Sequence, residues 1–238
     1  MGFYLAMTPG ELAACSRLPE NCGYLGCHFS SGGTGLSGLP QSLPRGSLLI
    51  VTDQFPIHRH DPEKISEQVQ ACVEDFGCAL VLLDFQRPGN AETRQVAKCI
   101  LRRLPGITGV SHLYAEGLDC PVFLPPPPLW TPLKVHLAPW TGRVIWQEVA
   151  LEGAVIQVTA AGAAYREVPP EPTPLPHFSP ELCCHYGIHA EKAQVEFTLT
   201  RTKEDLEGFM ALGESLGIRR FIGLYQELGG IYDENPQT

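Results

Sequence analysis

Apolar residues in this chain fall into short runs, and several runs pass straight into segments where apolar positions recur every third or fourth residue. The first arrangement suits buried strands and the second amphipathic helices, so the pattern predicts successive βα units. "GFYLAM" opens the series, and "TPGELAACSRL" follows with Thr8 as N-cap, Pro9 at the first helical position and Glu11 three residues after the cap. "CGYLGCHFS" reads as the second strand, and the Gly-, Pro- and Ser-rich "SGGTGLSGLPQSLPRG" as a loop in place of a helix. "GSLLIVTD" is a third strand, followed by the helix "DPEKISEQVQACVEDFG" with Ile65, Val69, Cys72 and Val73 on one stripe. "CALVLLDFQ" is a fourth, with a helix over "AETRQVAKCILRRL".

The rhythm then loosens. "SHLYAEGL" reads as a short helix, "CPVFLPPPP" as the fifth strand, "PLKVHLAPW" as a brief helix and "RVIWQEVAL" as the sixth strand, with "GAVIQVTAAG" as its antiparallel hairpin partner. After the extended proline cluster "VPPEPTPLPHFSP", "CCHYGIHAEKAQVEFTLT" forms a second hairpin that supplies the seventh strand. The helix "TKEDLEGFMALGESLG" leads into "RRFIGLYQEL", the eighth strand. The sum is an α/β fold: a (β/α)8 TIM-like barrel, eroded in that the second, sixth and eighth helices are replaced or missing. It is expected as one domain over 1–238 with a hairpin and proline-rich insertion at about 152–192. The competing architecture is an open doubly wound sheet with an antiparallel edge.

Composition narrows the function. A chain of 238 residues, 44% hydrophobic, can bury a large core, and a net charge of -9 offers no basic stripe for a nucleic-acid backbone. No apolar run is long enough to span a membrane, and "MGFYLAMTPGELAAC" lacks the charged start of a signal peptide, so the expectation is a cytoplasmic, membrane-free protein. Nine cysteines in mostly apolar stretches read as reduced thiols. Phosphate-loop, dinucleotide, zincin and nucleophile-elbow motifs are absent, and no cofactor is expected.

Barrels of this kind place chemistry where strands end at their C-terminal rim. That rule selects His28 and Ser30, Asp53, Asp84 and Gln86, then Gln147 and Glu148, then Thr200, and finally Tyr225, Gln226 and Glu227. Alternation puts Asp84 and Gln86 on one face with Leu80 and Leu82, while Leu83 and Phe85 face the other way. Glu196 is expected to be buried if its strand lines the barrel.

The fourth-strand segment, with the helix before it, resembles family-18 glycoside hydrolases, chitinase-like barrels whose fourth strand ends in D-x-x-D-x-D-x-E. The resemblance implies that the final acidic position holds the general acid and the preceding Asp orients the substrate's N-acetyl group, which serves as nucleophile. Aligned on Asp84, this chain reads Ala79, Leu82, Asp84 and Gln86 at those positions. A glutamine cannot ionise, so Gln86 can hold a hydroxyl or amide but cannot deliver a proton.

The expected function is therefore recognition of a carbohydrate or polyol at the barrel mouth, with ordinary glycosidase chemistry in doubt. Asp84, Glu227 and Asp53 are the catalytic candidates; Gln86, Phe85, His28, Gln147, Glu148, Tyr225 and Gln226 are the binding candidates. Trp130 and Trp146 are further aromatic residues for stacking on a sugar. Alternatives are a metal-assisted hydrolase using Asp53, His58 and His60, or a non-catalytic binding protein. No structural metal site is expected, since Cys183, Cys184, His185 and His189 lack the usual spacing. The ligand would be a small molecule or oligosaccharide, and a homo-oligomer would cover the face left bare by the missing eighth helix.

Overall fold

The computed structural model describes residues 2–31, 35–55, 60–87 and 89–233, with side chains through residue 229. The elements in chain order are β1 (Gly2–Met7), α1 (Pro9–Ala14), β2 (Cys22–Phe29), β3 (Leu36–Ser37), β4 (Leu48–Thr52), α2 (Pro62–Phe76), β5 (Leu80–Asp84) and α3 (Ala91–Arg103). They continue with β6 (Thr108–Ser111), β7 (Val122–Leu124), α4 (Leu133–Leu137) and its 3-10 extension (Ala138–Trp140), β8 (Ile145–Val149), β9 (Glu152–Thr159) and β10 (Gly162–Val168). The last are β11 (His177–Ser179), β12 (Cys184–Glu191), β13 (Gln194–Arg201), α5 (Lys203–Ser215), β14 (Ile218–Leu224) and α6 (Tyr225–Asp233).

Eight parallel strands run in the order β1-β14-β8-β7-β6-β5-β4-β2, and β1 also pairs with β2, so the ring closes. The eroded TIM-like barrel is thus observed, not the open sheet. Leu48, Ile50, Leu80 and Leu82 pack inside with Tyr4, Phe123, Trp146 and Ile222. The alternate residues Leu49, Val51, Val81 and Leu83 pack outside, against Ile65 and Val69 of α2 and Val96 and Ile100 of α3. This division is the period-two alternation of strands combined with helix stripes at 3.6-residue spacing. The helix starts follow their local chemistry: Thr8 and Glu11 form a capping box on α1, Asp61 caps α2 and Asn90 caps α3.

Two elements differ from the sequence reading in ways that change strand numbering. Thr108–Ser111 is a barrel strand, although its four residues include Gly109 and two hydroxyls and carry no apolar run. "RVIWQEVAL" is therefore the seventh barrel strand, and "AQVEFTLT" belongs to a separate sheet. The segment after β14 is helical, where the sequence suggested that the eighth helix is missing. After Ser111 closes β6, the remainder of "SHLYAEGL" forms turns, not a short helix.

The chain divides into two compact units, one comprising residues 1–124, 143–148 and 219–238, the other 125–142 and 149–218. The first holds the barrel. The second contains an antiparallel sheet in the order β10-β9-β13-β12-β11, so β9 pairs with β10 and β13. The predicted hairpin around Ala190–Lys192 is β12 with β13. Within this unit the buried guanidinium of Arg201 pairs with Glu152, donates to the carbonyls of Leu182 (3.0 Å) and Cys183 (3.3 Å), and lies 4.3 Å over the Phe209 ring. A buried cation needs this degree of pairing to be tolerated.

Inside the barrel, Gly109 is required by its neighbour: a Cβ there would lie 2.6 Å from the Trp146 indole. Gly109→Ala is expected to lower unfolding free energy by about 1–3 kcal/mol, the usual cost of overpacking a filled core. Urea denaturation would measure this, and an unchanged midpoint would show that the indole can move aside.

Candidate functional site

At the C-terminal ends of β2, β4 and β5 the barrel unit contains a cavity of about 420 Å³ lined by Leu25, Gly26, His28, Thr52, Asp53, Gln54, Asp84, Gln86 and Arg87. Four of the sequence-selected polar residues, His28, Asp53, Asp84 and Gln86, meet here.

Asp53 is buried directly after β4, and its carboxylate receives two consecutive backbone donors. Gln86 N–H reaches Oδ1 at 2.8 Å and Arg87 N–H reaches Oδ2 at 2.9 Å. The Arg87 side chain donates in the same direction, Nε to the Asp53 carbonyl (2.9 Å) and Nη2 to the Gln54 carbonyl (2.6 Å). Four bonds thus clamp the ends of two neighbouring strands. Charge-assisted bonds of this type are stronger than neutral ones, which suits a carboxylate used as a brace.

Asp84 is the inward residue at the last position of β5, in register with Thr52 of β4. Its Oδ1 accepts the Gln86 side-chain amide, and no described residue bonds Oδ2. Burial raises its carboxyl pKa to about 6; the Gln86 hydrogen bond opposes that rise, and the nearby Asp53 charge adds to it. The group therefore titrates near neutrality, the range suited to proton transfer.

The remaining candidates are distributed elsewhere. Phe85 is fully buried on the outer face, 5.3 Å from the Phe29 ring and 5.7 Å edge-on to Tyr114. Gln147 is buried and donates to the carbonyls of Leu124 (3.3 Å) and Glu148 (3.0 Å). Glu148 is half-buried and lies outside the cavity lining. Tyr225, Gln226 and Glu227 are on α6, where the Tyr225 hydroxyl is 3.7 Å from Cys15 Sγ and both Gln226 and Glu227 are exposed. Trp146 fills the barrel interior, and Trp130, in the second unit, stacks on Tyr165 at 5.0 Å. Thr200 and Glu196 belong to the separate sheet, where Thr200 Oγ1 accepts from Glu171 N–H (3.0 Å) and Glu196 accepts from Gln157 (2.9 Å).

His58 lies outside the described residues, and the His60 ring packs 5.6 Å from Phe29. Among the described residues no group of three His, Cys, Asp or Glu side chains is placed to hold a metal ion. His185 faces Asp205 at 2.9 Å, whereas His189 is exposed beside Glu191. All nine cysteines are free thiols, and burial pushes those of Cys22, Cys78 and Cys184 up to about 11, which makes them poor nucleophiles. Thr52, Gln54 and Arg87 were not selected from sequence, because a threonine closing a strand and an arginine in a turn carry no distinguishing pattern. Gly26 was detectable: a glycine inside a strand often marks a bulge.

No family model matches this chain, and no curated protein matches it by sequence. Solved structures similar to it include the spore cortex-lytic enzyme SleL of Bacillus cereus, with 11% identity over 93% of this chain and 70% of that one at a TM-score of 0.55. A chitinase from Chromobacterium violaceum has 11% identity over 93% of each chain at a TM-score of 0.53. A glycoside hydrolase family 18 N-acetylglucosaminidase from Paenibacillus barengoltzii has 10% identity over 93% of this chain and 94% of that one at a TM-score of 0.55. At such low identity the likeness shows the fold alone, a closed (β/α)8-type barrel.

Proposed function

We propose that the cavity at the ends of β2, β4 and β5 recognises a carbohydrate through Asp84 and Gln86, in a barrel of family-18 type whose usual proton donor is replaced. The observation that carries this reading is the Asp84–Gln86 pair itself, an inward carboxylate holding a side-chain amide at the rim of the cavity. Asp84 has an open acceptor oxygen for a sugar hydroxyl or an amide N–H. Gln86 supplies both a donor and an acceptor but no proton to transfer. Asp53 serves as a positioning residue, since both its oxygens hold the loop that carries Gln86. Two of the similar structures are named for chitin or N-acetylglucosamine, which supports N-acetylglucosamine oligomers as the first ligands to test.

Isothermal calorimetry with N,N′,N″-triacetylchitotriose is expected to show binding that Asp84→Ala and Gln86→Ala each weaken by about 3- to 30-fold, the loss of one or two polar contacts. Undetectable binding of this trisaccharide by the wild-type chain, together with that of a panel of neutral and acidic oligosaccharides, would remove the carbohydrate reading.

The buried carboxyl also makes a stability prediction. Because its pKa in the fold is about 6, above the unfolded value, protonation of Asp84 favours folding. That contribution is complete below about pH 4 and lost as pH rises through 6. Asp84→Asn removes the ionisable group, so its stability relative to wild type is expected to grow by up to about 3 kcal/mol between pH 4 and pH 7 and to be constant outside that window. Urea melts across this range test it, and a difference that does not vary with pH would contradict the buried-carboxyl picture.

A further inference from the structure

His28, Thr52 and Asp84 occupy one row across three neighbouring parallel strands: His28 pairs with Thr52 and Thr52 with Asp84. His28 reaches this row because of an irregularity in β2. Tyr24 pairs with Leu49, yet Cys27 pairs with Val51, so one extra residue is inserted between them. Tyr24, Cys27 and Phe29 all pack in the outer core, which simple alternation forbids for residues 24 and 27. Without the bulge His28 would share the outward face of Tyr24; with it, His28 turns to the cavity.

The bulge is closely built. A Cβ on Gly26 would lie 2.5 Å from the Tyr24 hydroxyl oxygen, and one on Gly38 would lie 2.0 Å from the Gly26 carbonyl oxygen. Tyr24 donates to the Gly38 carbonyl at 2.7 Å, closing the packing. His28 Nδ1 is 2.9 Å from the Gly26 carbonyl. A carbonyl only accepts, so the proton sits on Nδ1, and Nε2 is the atom that gains or loses a proton. No described residue bonds Nε2, and none bonds Asp84 Oδ2. The other charged groups lining the cavity, Asp53 and Arg87, are engaged with each other's loops.

We infer that His28 is the proton donor of this pocket and Asp84 its base, together hydrolysing a glycosidic bond by the step that Gln86 cannot perform. This rests on the carbohydrate reading above. In the reaction the bond between the anomeric carbon and the leaving oxygen breaks, its electron pair stays on that oxygen, and the oxygen takes the proton from His28 Nε2. A water oxygen bonds to the anomeric carbon and gives its proton to Asp84. Exchange with solvent returns both groups to their starting states. The Cα atoms of His28 and Asp84 are two strand spacings apart, about 9.5 Å. The side chains of both line the same cavity.

The test compares two probes, triacetylchitotriose and 2,4-dinitrophenyl N-acetyl-β-glucosaminide, whose leaving group departs without a proton. The wild-type chain is expected to hydrolyse both, with a bell-shaped pH dependence on the trisaccharide. His28→Gln is expected to lose about 10²- to 10⁴-fold in kcat on the trisaccharide, with KM within a few-fold, and to lose the basic limb of its profile. Its rate on the dinitrophenyl glycoside should stay within a few-fold of wild type. Calorimetric binding of the trisaccharide to His28→Gln confirms an intact pocket; should that variant not fold, His28→Asn is measured in its place. Trisaccharide bound but not hydrolysed by wild type would overturn the His28 assignment while leaving carbohydrate recognition standing. Equal loss on both probes in a folded variant would also overturn it, whereas absence of binding to wild type would instead remove the carbohydrate reading.

Discussion

Closure of the strand ring governs everything else in the barrel unit. Once β1 pairs with both β14 and β2, each strand has one inner and one outer face, and alternation assigns every side chain to one of them. Leu80 and Leu82 thereby enter the interior, and the next residue on their face, Asp84, must surface at the rim. The inner volume is already filled below that level, where Trp146 lies against Gly109 and the Arg220 guanidinium is 5.7 Å from its ring. A polar residue at the end of β5 therefore has apolar contacts beneath it and the cavity beside it, which is why its carboxylate is poorly solvated.

Two carboxylates within this rim are given different work by their surroundings. Asp53 meets a pair of backbone N–H groups and functions as a brace. Asp84 is desolvated by burial beside a neighbouring negative charge and accepts one neutral amide, so it holds its proton to a higher pH than a solvated carboxyl does. Separation of roles between nearby acids by environment is a general feature of sites that handle protons.

The ring of strands was largely legible because most barrel strands are continuous apolar runs, and the runs before α2 and α3 precede well-capped, striped helices. Thr108–Ser111 was not, since a strand of small and hydroxyl residues relies on its two neighbours for burial and shows nothing in its own pattern. The clean alternation of Gln194–Arg201 identified a strand correctly but could not reveal which sheet it joins. At the site, Asp84 and Gln86 followed from period two alone. The role of Asp53 did not, because its partners are main-chain groups more than thirty positions away, and the inward aim of His28 depends on a bulge that shifts parity within β2.

The clamp between the β4 and β5 ends joins the main-chain N–H groups of residues 86 and 87 to the Asp53 carboxylate, and the Arg87 guanidinium to the carbonyls of Asp53 and Gln54. The side chain at position 86 takes no part in these clamp bonds; it is turned to Asp84 instead. A lineage can exchange an ionisable residue there for an amide, or reverse the exchange, while the scaffold keeps its shape, so chemical capability at this rim can drift independently of foldability.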